Sequence, residues 1–380
     1  MKSKILFLLL ILTQILTAQT FTEMTDTPLD GVRVGSIAFS DVNGDWHDDV
    51  LITGQSISGV LIAKLYTNDG TGTFTEMTGT PFDGVWYGSI AFSDVNGDGH
   101  DDVLITGENS SFVPTAKLYT NDGTGSFTEM TSTPFNGVWL GSIAFSDVNG
   151  DGHDDVLITG QKSAGVRIAK LYANDGTGTF TEMIGTPFYG VEKSSIAFSD
   201  VNGDGHDDVL ITGQKDEVGV QPTAKLYAND GMGTFTEMMG TPFDGVRYSS
   251  IAFSDVNGDG HNDVLITGEN GSGEPIAKLY TNDGAVSSIE DLYIGISLDL
   301  ILFPNPTSSS TLFLSYGSTE MSEVIVRVYN VNGVLLSQQK EYAVNRQRIF
   351  SIDITTLTNG NYFLELDDGK RKGVAKFIVQ

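Results

Sequence analysis

Apolar and polar positions along the chain follow a pattern that recurs roughly every 53 residues. Starting from Phe74, one period holds four short segments rich in β-branched and aromatic residues: GSIAFSD, DVLITG, TAKLYT and the following SFTEM. Each is bounded by Gly, Asp, Asn or Pro, which predicts four strands. In the third, Ala116 and Leu118 share one face while Lys117 and Tyr119 share the other. An acidic loop joins the first two segments, and NDGTG between the last two is a hairpin signal. A unit this small cannot bury its apolar faces alone, so successive units must stack.

The phase of the repeats adds topology. FTEM begins at Phe21, Phe74, Phe127, Phe180 and Phe235, and AKLY at Ala63, Ala116, Ala169, Ala224 and Ala277. The repeats thus open with a lone fourth strand and end with a unit lacking one. The predicted fold is all-β: a five-bladed β-propeller over residues 19–284 in which residues 21–24 complete the sheet begun at Ser249. Such a strand exchange would close the ring and remove both open edges. An open array or a ring completed by a partner are the alternatives.

The loop between the first two strands reads DVNGDGHDD and begins at Asp41, Asp94, Asp147, Asp200 and Asp255. Oxygen donors stand at positions one, three, five and nine, with the backbone carbonyl of position seven between them, as a hard cation requires. The candidate ligands are Asp41, Asn43, Asp45, His47 and Asp49 in the first copy, and Asp94, Asn96, Asp98, His100 and Asp102 in the second. The third offers Asp147, Asn149, Asp151, His153 and Asp155, the fourth Asp200, Asn202, Asp204, His206 and Asp208, and the fifth Asp255, Asn257, Asp259, His261 and Asp263. Calcium, about one ion per repeat, is the expected cofactor. An EF-hand is excluded, because position twelve is Ile105 and strands flank the loop. Zinc on the five histidines is disfavoured by the all-oxygen company they keep. Acidic turns without metal are the remaining alternative. The residue at position eight (Asp48, Asp101, Asp154, Asp207, Asn262) is expected to face solvent or to back the ligands, and Trp46, where other copies have Gly, to strain the first loop.

Acidic residues outnumber basic ones 49 to 21, a net charge of −28, which argues against a nucleic-acid partner. From Ser297 onward the charges balance, so the repeats carry the deficit. There is no cysteine. Residues 1–18 read as a signal peptide, with Lys2 and Lys4 ahead of an apolar run and Ala18 at the cleavage site. No other transmembrane candidate is present.

The loops and their flanking strands resemble the FG-GAP/VCBS repeats of integrin-α-type propellers. The resemblance implies calcium in the hairpin loop, contributing stability and not chemistry; it departs in having five repeats where integrin rings have seven. After a linker over 285–302, the texture changes at residue 303. Alternating strands with turns at Asn332-Gly333 and Asp368-Gly369 predict a small immunoglobulin-like β-sandwich over 303–380. Pro304-Asn305-Pro306-Thr307, Tyr329 to Gly333, Gly360 to Phe363 and the basic Lys370-Arg371-Lys372 before a last apolar strand resemble the type A C-terminal sorting domain of the Bacteroidetes type IX secretion system. That resemblance implies the secretion machinery as a partner, Sec export, outer-membrane translocation, and removal of the tail with release or surface attachment.

The repeats differ most in two places: before the first strand (Arg33-Val34, Trp86-Tyr87, Trp139-Leu140, Glu192-Lys193, Arg247-Tyr248) and between the second and third. In an up-and-down blade both lie on one face, opposite the acidic loops. Trp86, Tyr87, Trp139, Arg247 and Tyr248 are therefore candidate ligand-binding residues, for a glycan or protein, on a rigid scaffold. Neutral drift of surface loops explains the same variation. No nucleophile has partners, and Glu192 and Asp83 occur singly, so an enzyme is not expected. The expected function is a secreted or surface-attached calcium-binding adhesion module, lectin-like in character. The alternatives are a structural surface protein or, less favoured, a polysaccharide hydrolase or lyase.

Overall fold

The computed structural model describes residues 22–215, 221–284, 300–316, 323–330, 335–342, 348–367 and 372–380. The expected signal peptide, Phe21, most of the linker, and the turns at Asn332-Gly333 and Asp368-Gly369 lie outside them. Repeat one holds β1 (Val32–Ser40), β2 (Asp49–Ser56), β3 (Leu61–Asn68) and β4 (Phe74–Met77); repeat two holds β5 (Trp86–Ser93), β6 (Asp102–Glu108), β7 (Pro114–Asn121) and β8 (Phe127–Met130). Repeat three has β9 (Ile143–Ser146), β10 (Asp155–Gln161), β11 (Arg167–Asn174) and β12 (Phe180–Glu182), and repeat four β13 (Val191–Ser199), β14 (Asp208–Lys215), β15 (Pro222–Asn229) and β16 (Phe235–Glu237). Repeat five consists of β17 (Arg247–Ser254), β18 (Asp263–Glu269) and β19 (Pro275–Tyr280).

Within each repeat neighbouring strands run antiparallel in sequence order, as the hairpin signals require. In repeat one, Ser40 faces Asp49 and Asn68 faces Phe74, so the acidic loop and the NDG turn share one end of the sheet. Gln55 facing Leu61 puts the β2–β3 connection at the other end. A single pairing of Ile168 with Val191 joins repeats three and four into one eight-stranded sheet. Repeat five remains three-stranded, and residues 22–24 form no strand. Among the described residues, then, no pairing joins the last repeat to the first; residues 22–24 do not exchange into the sheet of repeat five, and Phe21 lies outside the described residues.

Stacking follows from the two faces of each sheet. Val95, Leu104 and Leu118 of repeat two pack on Ile143, Val156, Ile158, Tyr172 and Phe180 of repeat three. The same arrangement links repeats one and two, and three and four. Each fully buried leucine contributes about 1.5–3 kcal/mol, so the stacked faces outweigh what any single sheet could supply.

The chain divides into two compact units, one of the repeat strands and one of residues 281–380 with Val201–Gly203 and Asp255–His261. In the tail, β20 (Leu300–Phe303), β21 (Thr311–Tyr316) and β24 (Arg348–Asp353) form one sheet. The other is built of β22 (Glu323–Asn330), β23 (Leu335–Tyr342), β25 (Gly360–Asp367) and β26 (Lys372–Val379). Leu312, Leu314 and Ile352 from the first share a buried core with Val326, Leu364 and Phe377 from the second. The Pro304-Asn305-Pro306-Thr307 segment is tied to the last strand, with Thr307 N donating to Ile378 O and Asn305 Nδ2 to Lys376 O.

Candidate functional site

The acidic loops have one hydrogen-bonding scheme. At position one, Asp94 Oδ1 accepts from Asp98 N (3.2 Å) and its Oδ2 from Gly99 N (2.8 Å), and the equivalents recur in all five copies. The carboxylate at position five accepts from the histidine amide in every copy, as in His100 N to Asp98 Oδ1 at 3.0 Å. Position nine is buried: Asp102 accepts from Asn121 N (2.8 Å) on β7 and from Val95 N (3.1 Å) within the loop. Burial pushes the Asp102 and Asp155 carboxyls up to about 6; the backbone amides they accept from oppose this, and the carboxylates at positions five and one add to it.

The expected donors are thus gathered in one loop per repeat, oxygen throughout, as a hard cation prefers. Among the described residues, no three acidic or histidine side chains converge in ligating geometry. The histidine side chains have another task. Each imidazole lies on the glycine of the NDG turn in its own repeat: His47 on Gly70, His100 on Gly123, His153 on Gly176, His206 on Gly231 and His261 on Gly284, leaving no room there for a Cβ. Trp46 adopts φ 68°, where the other copies carry glycine at φ 86–90°, as the sequence suggested.

Position eight corrects the sequence reading in four of the five copies, where it clamps neighbouring repeats; Asp48 in the first copy is exposed, as expected. Ser40 Oγ donates to Asp101 (2.8 Å), Ser93 to Asp154 (2.9 Å) and Ser146 to Asp207 (2.8 Å). At the last junction the polarity reverses, with Asn262 Nδ2 donating to Ser199 Oγ at 3.0 Å. A second clamp runs from the NDG asparagine to the preceding loop: Asn121 to Val42 O, Asn174 to Val95 O, Asn229 to Val148 O and Asn282 to Val201 O, at 2.8–2.9 Å.

At the opposite end the two variable stretches meet, as expected, although in four of the five repeats the variable dipeptide begins inside the first strand and not before it. The second residue of each pair has positive φ (Val34, Tyr87, Leu140, Lys193, Tyr248). A bulge follows in repeats one, two, four and five. Leu140 N donates to Tyr87 O, and Lys193 N to Leu140 O, so consecutive repeats are linked there. The candidate aromatics are partly engaged by their own neighbours. Trp86 Nε1 donates to Glu108 (2.8 Å), and Tyr87 lies 5.0 Å from the Trp86 ring and 5.8 Å from Trp139. Arg247 pairs with Glu269 and lies 5.6 Å from the ring of exposed Tyr248, which Lys193 also covers at 5.1 Å. The acids taken as single are paired: Glu192 with Arg167 (2.8 Å) and Asp83 with Lys117 (2.7 Å).

Between repeats one and two this end opens into a groove of about 700 Å³, lined by Trp86, Phe112, Asp83, Asn109 and Gln55 among others. Phe112, Asn109 and Gln55 were not singled out from the sequence. Their signal was present in the variable QSISGVLI and ENSSFVPT stretches, but which of them faces the groove depends on the junction.

An FG-GAP-like repeat model matches residues 41–105, 94–158, 147–211 and 200–266, together more than half of the chain. The chain belongs to the FG-GAP-like repeat family. An FG-GAP repeat model also matches residues 248–289, and a secretion system C-terminal sorting domain matches 301–380. The FG-GAP chain is thus a secreted or cell-surface all-β protein, its tail the part addressed to type IX secretion machinery. No helix among the described residues is long and apolar enough to cross a membrane.

No curated protein matches the chain. Among solved structures, similarity extends to an Aleuria aurantia lectin bound to α-methyl-L-fucoside (9% identity, 88% of this chain and 99% of that, TM-score 0.38). It also extends to a fungal alcohol oxidase of the AA5 family with copper (12%, 91% and 84%, 0.38) and an Aspergillus kawachii β-fructofuranosidase (10%, 92% and 88%, 0.35). At these scores the likeness carries no argument about activity.

Proposed function

We propose that this protein is a calcium-stabilised recognition module that binds a glycan or protein ligand at its variable end and performs no catalysis. The groove between repeats one and two carries the reading. It sets the apolar faces of Trp86 and Phe112 beside the polar Asp83, Asn109 and Gln55. Aromatic walls with a few polar groups suit sugar rings or a partner's side chains. Tyr248, Arg247 and Lys193 form a second charged and aromatic patch at the same end. Calcium at the five loops would hold Asp, Asn and the histidine carbonyl together and offset the acidic excess, stiffening the scaffold so that little ordering is lost on binding. Signal-peptide cleavage after Ala18 and removal of the tail would complete export.

A structural role without ligand is favoured by one observation, the mutual contact of Trp86, Tyr87 and Trp139. Screening the protein against a glycan array, with calcium, separates the two. Saturable binding that Trp86→Ala with Phe112→Ala abolishes, at unchanged melting temperature, is expected. A folded protein with no hits refutes a glycan ligand and leaves a protein partner or a structural role, and a double variant that binds normally refutes binding at the groove.

A further inference from the structure

The repeat array makes the same junction four times and is left with one half of it at each end. At internal junctions the back face presents two leucines that are lost to solvent: Leu51 and Leu65, Leu104 and Leu118, and Leu157 and Leu171 are each 0% exposed. Their equivalents in repeat five, Leu265 and Leu279, are 41% and 52% exposed. The front face shows the converse. Ile90, Ile143 and Ile196 are 7–8% exposed, whereas Ile37 in repeat one is 63% exposed and Phe39 beside it 58%.

The polar clamp follows the same rule. Ser40, Ser93 and Ser146 bond to position eight of the next repeat, and Ser199 does so with reversed polarity. Ser254 of repeat five and Asp48 of repeat one enter no such bond among the described residues. The fourth-strand methionine gives a third marker. Met77, Met130 and Met183 each lie on a turn glycine of the next repeat (Gly125, Gly178 and Gly233), and Met24 lies on Gly72 in the same way. Met24 therefore occupies the place held at the other junctions by the fourth-strand methionine of the preceding repeat, and among the described residues no repeat stands behind it.

We propose that the back face of repeat five docks on the front face of repeat one of a second copy, head to tail. The occupant is specified by the chain itself, since every internal front face is already covered by a face of this sequence. Both halves stand exposed in one chain, and β19 does not pair with residues 22–24, so the complement comes from another molecule. Leu265 and Leu279 would meet Ile37 and Phe39, Ser254 would donate to Asp48, and residues 22–24 would extend the sheet of β17–β19. A contact between two different surfaces of one protein continues into a ring or an open filament, not a closed twofold dimer.

The test is the mass of the full-length protein over a wide concentration range, by light scattering or analytical ultracentrifugation. Concentration-dependent assembly is expected, with Ile37→Asp and Leu279→Asp each monomeric and still folded by circular dichroism. Mixing the two variants should restore a species of twice the monomer mass, because one retains its back face and the other its front. Should either variant fail to fold, Asp48→Arg and Ser254→Arg replace them in the same mixing experiment. A wild type that is monomeric throughout, or mixed variants that stay monomeric, overturns the proposal. A monomeric wild type whose Ile37→Asp variant melts lower would place the junction within one chain instead.

Discussion

Trp46 shows what a single backbone angle costs when all else is held equal. Four loops carry Gly at position six with φ 86–90°, and the first carries Trp at φ 68°, its side chain 91% exposed. A side chain in the left-handed region costs about 1–2 kcal/mol, and an exposed indole recovers little by burial. Trp46→Gly is therefore expected to stabilise the protein by about 1 kcal/mol, less the extra chain entropy of glycine, as read from urea unfolding. No change, or a loss, would show that the indole makes contacts that offset the strain. Histidine at position seven is a different case. Its fivefold recurrence was visible in the sequence, but its purpose was not, because the NDG glycine it covers lies more than twenty residues away and meets it only when the third strand pairs with the second.

At the level of the strand and its connections, the periodic pattern was a sufficient guide. Acidic loop and NDG turn fall where alternation and turn chemistry put them, because each depends on neighbours within about a dozen residues, whereas four of the five variable dipeptides lie inside the first strand and not before it. What lay beyond such reach was the clamping of one repeat by the next. Asn68 and Asn121 occupy the same turn position, and in both the side-chain oxygen accepts from the turn glycine. Their amide groups differ: Asn121 Nδ2 satisfies the buried Val42 carbonyl, whereas Asn68 Nδ2 reaches Asp48 O at 3.2 Å on the exposed edge. Removing a partner from a buried carbonyl costs about 1–3 kcal/mol. Asn121→Ala should thus lower stability by that amount and Asn68→Ala by about 0.5 kcal/mol or less, given its solvent-exposed acceptor. Equal losses in denaturant titrations would mean that the inter-repeat bond contributes nothing beyond the turn itself.

For the whole molecule the governing quantity is charge against cohesion. A net charge of −28, concentrated in the repeats, opposes a compact state that the apolar junctions favour. If cations occupy the acidic loops, each adds stability through mass action, about 2.7 kcal/mol at a hundredfold excess over Kd. Chelation is therefore expected to lower the melting temperature, and calcium to restore it where magnesium does not. A melting curve indifferent to both would leave the loops as hydrogen-bonded turns, a form their Asp-to-amide bonds already support.

The sequence alone was enough for the strands within the repeats, apart from the lone one expected at 21–24, and for their antiparallel order, the family and the sorting tail. Each of these is written in local periodicity, turn residues or a contiguous motif. Tertiary structure decided what position eight does, where the imidazoles lie and which variable side chains share a groove. These depend on how one sheet sits on the next, and near-identical repeats offer every face the same chemistry.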